Sequence, residues 1–203
     1  MKEVLLNNIT NKIKDYYHYD DKKISEIRYG LETIYLSIVK LLIVFIVSIF
    51  IHTFKELCIF YISYALLRLF AFGLHAKNSL QCWLLTIPTF ILIPYLIKQN
   101  IINNYYIAIP FILLIIIYAP SDTEKRPLIN IKKRTIYKVL SILISIIYFL
   151  IIILSNNHLI KDSLLFSIIL ESLLILPISY KLLGLKYANY KRYRRKEVTK
   201  WLY

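Results

Sequence analysis

The sequence predicts an all-α, polytopic integral membrane protein: a bundle of about six transmembrane helices behind an N-terminal amphipathic surface helix. Three observations lead there. The chain of 203 residues is 58% hydrophobic and holds only three glycines, a balance far from that of average soluble domains. Its apolar residues gather in stretches close to the ~20 that a helix needs to cross a bilayer core. Its formal net charge of +14 collects between those stretches, as expected of a membrane protein with cationic flanks. A basic soluble helical bundle is the competing class and explains the long apolar runs less well.

The elements follow in order. At the N-terminus Val4, Leu5, Ile9 and Ile13 recur at helical spacing with Asn, Lys and Asp between them, which reads as a helix lying on the membrane surface. The same stretch is too charged and broken for a secretory signal peptide. Six apolar segments then qualify as spans, at 34–51, 57–72, 80–97, 105–118, 136–154 and 164–183. The second and fourth are short. The chain therefore divides into an interfacial segment at 1–33, a transmembrane domain at 34–184 and a basic tail at 185–203.

Lys and Arg in the connections set the orientation. One side receives the N-terminus, the connection near Lys77, the loop at 119–135 and the C-terminal run "KYANYKRYRRKEVTKW". The other side receives Lys55, Lys98 and Lys161. Both termini are expected in the cytoplasm, and the tail is expected to anchor to anionic lipids.

The stretch "LLRLFAFGLHAKNSLQCW" at 66–83 breaks the apolar pattern on the cytoplasmic side. Gly73 can loosen the end of the second span. Asn78 or Ser79 suits an N-cap for the third, with Gln81 three residues after Asn78 in capping-box fashion. Cys82 then lies in the first helical turn, where backbone N–H groups and the positive dipole end favour a thiolate. His75 precedes Cys82 by seven residues. On one continuous helix that is about 10.5 Å of rise, too far for a nucleophile–base hydrogen bond. With a helix ending at His75 and another opening at Cys82, the imidazole can fold back toward the sulfur. The turn is what permits a Cys/His dyad.

Plainer readings stand beside this one. A cysteine in an apolar segment is usually a small buried hydrophobe, and Cys58, with only His52 nearby, is read that way. Arg68 lies inside the second span, where an ionisable residue is costly and a functional candidate by default. It either holds a substrate carbonyl or developing oxyanion, or snorkels to the headgroups. Gly73 and Gln81 join it as candidate substrate or oxyanion support. Lys40 and Glu171 are further charges within spans. They can pair with each other, Glu171 can face Arg68, or Lys40 can snorkel. Two cysteines make no disulfide framework and suggest no zinc cluster. No phosphate loop or nucleotide motif is visible, so no cofactor or metal is expected.

The segment "RLFAFGLHAKNSLQC" resembles the active-site segment of the accessory gene regulator B (AgrB) family, membrane peptidases that process quorum-sensing propeptides. Arg68, Gly73, His75 and Cys82 fit the family pattern in order and spacing. The run "YAPSDTEKRPLINIKKR" resembles the family's Ala-Pro…Asp-Thr…Lys…Pro loop, and "RYGLE" at 28–32 is similar to its usual lead-in. Phe72 departs from it, standing where many members carry a second small residue.

The resemblance implies a substrate and a reaction. The substrate would be an AgrD-type propeptide, cut on its C-terminal side with Cys82 as nucleophile and His75 as base. An acyl-enzyme thioester would then be attacked from within the peptide, giving a cyclic thiolactone or lactone. The resemblance also implies a bacterial cell membrane location and an acidic tail on the propeptide. Lys125, Arg126, Lys132, Lys133 and Arg134 are candidates to attract that tail, although cytoplasmic loops are basic for topogenic reasons alone. A homodimer is an expectation of the same origin, and no small-residue packing motif in the spans argues for it. The competing classes are a peptide exporter, with Arg68 and Glu171 lining its path, and a non-enzymatic scaffold.

Overall fold

The computed structural model describes residues 2–17, 19–76, 78–124, 128 and 130–193. No strand forms among them, and helices carry the fold: α1 (Lys2–Tyr17), α2 (Asp21–Phe50), α3 (Phe54–Ala71), α4 (Ser79–Lys98), a 3-10 turn (Tyr105–Ile107) leading into α5 (Ala108–Tyr118), α6 (Ile131–Leu154), α7 (His158–Ile175) and α8 (Pro177–Leu182). The chain forms two compact units, Met1–Val47 and Ser48–Tyr203, taken in turn.

In the first unit Asp20 opens α2, its carboxylate accepting the Lys23 N–H at 3.2 Å. Ion pairs Lys14–Asp21 at 2.7 Å and Arg28–Glu3 at 2.6 Å link α1 to α2. Both pairs are solvent-exposed, where water and salt screen them, and they contribute little to stability. The expected span at 34–51 is the apolar part of a longer helix, because the polar residues from Asp21 onward also favour helix once capped. Ile34, Ile38, Leu42 and Ile46 recur every four residues and are all exposed, forming an apolar stripe along one face.

In the second unit α7 is the hub, touching α3, α4, α5, α6 and α8. Its buried side chains include Leu164, Leu165, Ile168 and Ile175, but also Asp162, Ser163, Ser167, Glu171 and Ser172. Ser167 Oγ lies 2.7 Å from Ser63 Oγ of α3, and Tyr148 Oη of α6 donates to the Ser63 carbonyl at 2.8 Å. Buried polar groups require such partners. Helix α6 buries Ser141, Ser145 and Tyr148 beside Ile144 and Ile152 and exposes Ile136, Val139, Leu143, Ile146, Leu150 and Leu154. Water would leave that outer face uncovered, whereas hydrocarbon covers it.

Three helices, Asp21–Phe50, Leu80–Lys98 and Ile131–Leu154, are long and apolar enough to cross a membrane, and Tyr105–Tyr118 is apolar but shorter. Helices α3 and α7 have 18 residues each and carry charges along their length, Lys55, Glu56 and Arg68 in one, Lys161, Asp162 and Glu171 in the other. The segment expected as one span at 164–183 is two helices. Pro177 begins α8, and Leu176 before it is extended at φ −66°, ψ 140°. Proline disfavours helical geometry in the residue it follows.

The elements of this unit leave two groups of contacts. In one, Lys98 Nζ donates to the His52 carbonyl at 2.9 Å, and Tyr105 Oη reaches Asp162 Oδ1 at 2.8 Å and His158 Nδ1 at 3.3 Å. In the other, the α3–α4 connection, the turn after α5 and the α7–α8 junction come together.

Candidate active site

The helix ends decide the geometry of the Arg68–Cys82 stretch. Helix α3 stops at Ala71, and Phe72 caps it at φ 63°, ψ −113°, its N–H bonding the Arg68 carbonyl. Gly73 follows at φ 97°, a region that excludes most side chains. Two consecutive residues at positive φ end the helix, earlier than an ending at His75. Helix α4 restarts at Ser79 with Asn78 in the cap position at φ −120°, ψ 155°. The Cys82 N–H closes its first turn on the Asn78 carbonyl at 3.1 Å.

His75 therefore sits exposed in a non-helical connection, and Cys82 is half-buried in the opening turn of α4. Its sulfur lies 3.8 Å from Thr86 Oγ1, one turn on. Neither Cys58 nor Cys82 is in a disulfide. The expected capping box does not form. Asn78 occupies the cap position through its backbone, with no side-chain cap bond, and Gln81 Oε1 is buried without a hydrogen-bond partner.

The connection is held from three directions. Gly73 N–H bonds the Ser121 carbonyl at 2.8 Å, Ser121 N–H returns to the Ala71 carbonyl at 3.0 Å, and Leu74 N–H reaches Leu174 at 3.2 Å. Arg68 supplies the fourth tie, Nη2 donating to the Leu74 carbonyl. Its Nη1 faces Glu171, 3.3 Å from Oε2 and 3.5 Å from Oε1. Glu171 is fully buried, so of the pairings open to it the structure forms the one with Arg68. A Cβ on Gly73 would collide with Arg68 Nη1 and stand 3.3 Å from Glu171 Oε1. The glycine thus serves the turn and the close passage of the guanidinium.

The turn after α5 carries this scaffold outward. Ser121 Oγ donates to the Ile175 carbonyl at 2.9 Å, and Tyr180 Oη donates to the Ser121 carbonyl at 3.4 Å. Both Asp122 oxygens accept backbone N–H groups: Asn189 at 3.0 Å on Oδ1, and Tyr190 at 2.7 Å and Leu128 at 3.2 Å on Oδ2. A cavity of about 240 Å³ opens beside it, lined among others by Pro120, Ser121, Asp122, Arg134, Tyr187 and Lys191. Burial pushes the Tyr187 phenol up, while its hydrogen bond with Ser121 and the Arg134 charge act the other way.

The basic cluster splits. Lys125 and Arg126 lie outside the described residues, and Lys132 and Lys133 are exposed in the first turn of α6. Arg134 folds its guanidinium over the Tyr190 ring, 3.7 Å from the centroid. Sequence reasoning gave no part to Ser121, Asp122, Tyr187 or Tyr190. Asp122 stood within the quoted loop motif, but its bonds to Asn189 and Tyr190 span 67 and 68 residues and leave no local signal. No group of three or more His, Cys, Asp and Glu residues among those described is placed to hold a metal ion.

Comparison with known proteins agrees along almost the whole chain. The family model for Accessory gene regulator B matches residues 6–175. A protein of Clostridium acetobutylicum named putative AgrB-like protein is 36% identical over 196 residues, covering 95% of this chain and 94% of that protein. One of Listeria welshimeri with the same name is 34% identical, covering 89% and 90%. The accessory gene regulator protein B of Staphylococcus aureus is 35% identical, covering 86% of this chain and 98% of its own. No solved structure matches. With its Arg68–Cys82 motif, its helical fold and this coverage together, the chain belongs to the accessory gene regulator B family.

Proposed function

We propose that this protein is a membrane-embedded cysteine endopeptidase that cleaves an AgrD-type quorum-sensing propeptide on its C-terminal side and promotes cyclisation of the product. Family membership supports the role in processing such a peptide. One observation carries the mechanism: the chain leaves the helix between Arg68 and Cys82, with His75 in the connection and Cys82 in the first turn of α4.

In this mechanism His75 accepts the Cys82 thiol proton as sulfur attacks the scissile carbonyl. The proton then passes to the departing amine, and the N-terminal part of the peptide remains as a thioester on Cys82. A thiol or hydroxyl within the peptide attacks that carbonyl, closes a thiolactone or lactone and returns the Cys82 thiol. The thiol route exchanges one thioester for another of similar energy and needs no ATP. A water-poor pocket favours the internal nucleophile over hydrolysis, and a shared bilayer raises the effective concentration of peptide and enzyme. Gln81, whose Oε1 is uncommitted, supports the substrate beside the nucleophile.

Arg68 takes the part of a positioning residue. Its guanidinium spans Glu171 and the Leu74 carbonyl and so braces the residue next to His75. That engagement favours the enzyme over an exporter lined by Arg68 and Glu171. The proposal includes about six spans at 34–184 between an interfacial segment at 1–33 and a basic tail at 185–203, both termini cytoplasmic, anionic lipid contact and a homodimer. Cys82→Ala and His75→Ala should each abolish cleavage of the propeptide in liposomes, at unchanged expression, while Cys58→Ala cleaves normally. Normal cleavage by Cys82→Ala would instead favour an exporter or scaffold.

A further inference from the structure

Thr86 stands next to the reacting sulfur and has no part in the chemistry described so far. Its Oγ1 lies 3.8 Å from Cys82 Sγ, one turn along α4, and the residue is half-buried. A threonine inside a helix commonly turns its hydroxyl onto the carbonyl four residues back. Thr10, Thr33, Thr89 and Thr135 all do so, at 2.8, 2.8, 2.6 and 3.1 Å. For Thr86 that carbonyl would be the one of Cys82, yet its hydroxyl is paired with the Cys82 sulfur. Thr89 makes the usual bond within the same helix, so nothing general to α4 sets Thr86 apart.

A charged sulfur at this place needs such a donor. The Cys82 N–H is taken by the Asn78 carbonyl at 3.1 Å, so the residue's own backbone does not serve its side chain. Helices α3 and α7 pack against α4, and their charges nearest the connection, Arg68 and Glu171, engage each other and the Leu74 carbonyl. Tyr61 and Tyr64 of α3 meet α4 at Phe90, about two turns beyond Cys82. In the neutral pair either the thiol or the hydroxyl can donate. Once His75 holds the thiol proton, only the hydroxyl has a hydrogen to give, and a bond to a charged acceptor is the stronger kind. We infer that Thr86 is a further catalytic residue, whose O–H donates to Cys82 Sγ whenever that sulfur carries negative charge. This deepens the proposed function and rests on it for the reaction. The bond serves first as the thiolate forms and attacks the scissile carbonyl. It serves again when the internal nucleophile breaks the C–S bond, the electron pair returns to Sγ and a proton follows through His75. Thr86 keeps its own proton throughout.

Cys58 and Cys82 are the chain's two cysteines, so Cys58→Ala leaves one thiol to follow. Full-length Cys58→Ala protein in nanodiscs is alkylated with iodoacetamide across a range of pH, and intact-protein mass spectrometry gives the rate. Only the thiolate reacts, so the rate rises with pH to a plateau. Adding Thr86→Val, which keeps the shape and removes the hydroxyl, should move the midpoint of that rise upward by about half a pH unit or more. The plateau should stay within about twofold, because the fully ionised sulfur is equally accessible. Thr86→Ser, which keeps the hydroxyl, should restore the midpoint. The shift should persist in a His75→Ala background, because the hydroxyl touches the sulfur itself. With propeptide in liposomes, Thr86→Val should lower kcat about tenfold and change KM less than about twofold, the pattern of an interaction made in the transition state.

An unmoved midpoint or an unchanged kcat in Thr86→Val overturns the inference. So does a Thr86→Ser variant that shifts as far as Thr86→Val, which marks packing rather than the hydroxyl. A shift that vanishes with His75→Ala also overturns it, in favour of an effect passed through the imidazole. Thr86→Ala, a second variant without the hydroxyl, carries the same comparison where Thr86→Val fails to fold. Alkylation involves no propeptide, so it is decided apart from the parent reading. Cleavage by the wild type with an unmoved midpoint in the variant removes Thr86 and keeps the peptidase. A moved midpoint in a protein that leaves the propeptide uncut keeps the bond to the thiolate and overturns its catalytic part together with the peptidase.

Discussion

At the residue scale Gly73 is the most constrained position. It takes φ 97° and passes beneath the Arg68 guanidinium, so alanine meets both backbone strain and a collision. Positive φ at a non-glycine costs about 1–3 kcal/mol, and the collision adds to it. Gly73→Ala should lower the thermal unfolding midpoint in detergent and cut propeptide cleavage severely, whereas Gly30→Ala, with open space around its Cβ, should do neither. Arg68 and Glu171 form the second such feature. Removing one partner leaves the other buried and unpaired, a loss of about 3–5 kcal/mol. Arg68→Met and Glu171→Leu together should recover much of the stability lost by either alone, as thermal unfolding of all three variants will show. Cleavage should not recover with it, because the double variant still lacks the Arg68 donor to the Leu74 carbonyl.

At the element scale the break between α3 and α4 is the feature on which the chemistry depends. It was legible in the sequence as Gly73 and the polar run "HAKNS", which left Asn78 and Ser79 as alternatives for the cap position that Asn78 takes. The capping box was not, because it depends on a side-chain rotamer that spacing does not set. The early end of α3 was not legible either, since Phe72 at φ 63° is a conformation that no local propensity favours for phenylalanine. Tertiary bonds to Ser121 and Leu174 hold it there. Likewise the part played by the turn after α5 rests on bonds between residues far apart in sequence. Asp122→Ala should free the backbone N–H groups of Asn189 and Tyr190. Hydrogen exchange at those two amides should rise by an order of magnitude or more, while exchange in the middle of α7 stays unchanged. Protection retained at both amides would remove Asp122 as the tie.

At the scale of the whole molecule, a buried apolar core coexists with wide apolar faces left exposed, and on α6 Ser141 and Ser145 are buried while Ile136, Leu143, Leu150 and Leu154 are exposed. Composition alone disclosed that environment, because an apolar fraction of 58% exceeds what one small core can hide. The number of crossings was harder to read. Hydropathy marks six segments, yet only three helices meet both length and composition, since α3 and α7 carry the charges that build the site and the polar seam. Function at this scale was readable only where residue types with reactive side chains interrupt the oil, at Arg68, His75 and Cys82. Arg134 was marked only as one of five basic loop residues, and the cavity it lines was not, because its walls come from three separate parts of the chain. The central claim is that Cys82 is acylated by the propeptide. The direct measurement is intact-protein mass spectrometry of the wild-type protein in liposomes, quenched in acid during turnover with its cognate propeptide. A released C-terminal fragment and a Cys82 adduct with the mass of the remaining peptide less water are expected, both absent in Cys82→Ala. Turnover with no adduct in wild type and an equal yield of fragment from Cys82→Ala would contradict it.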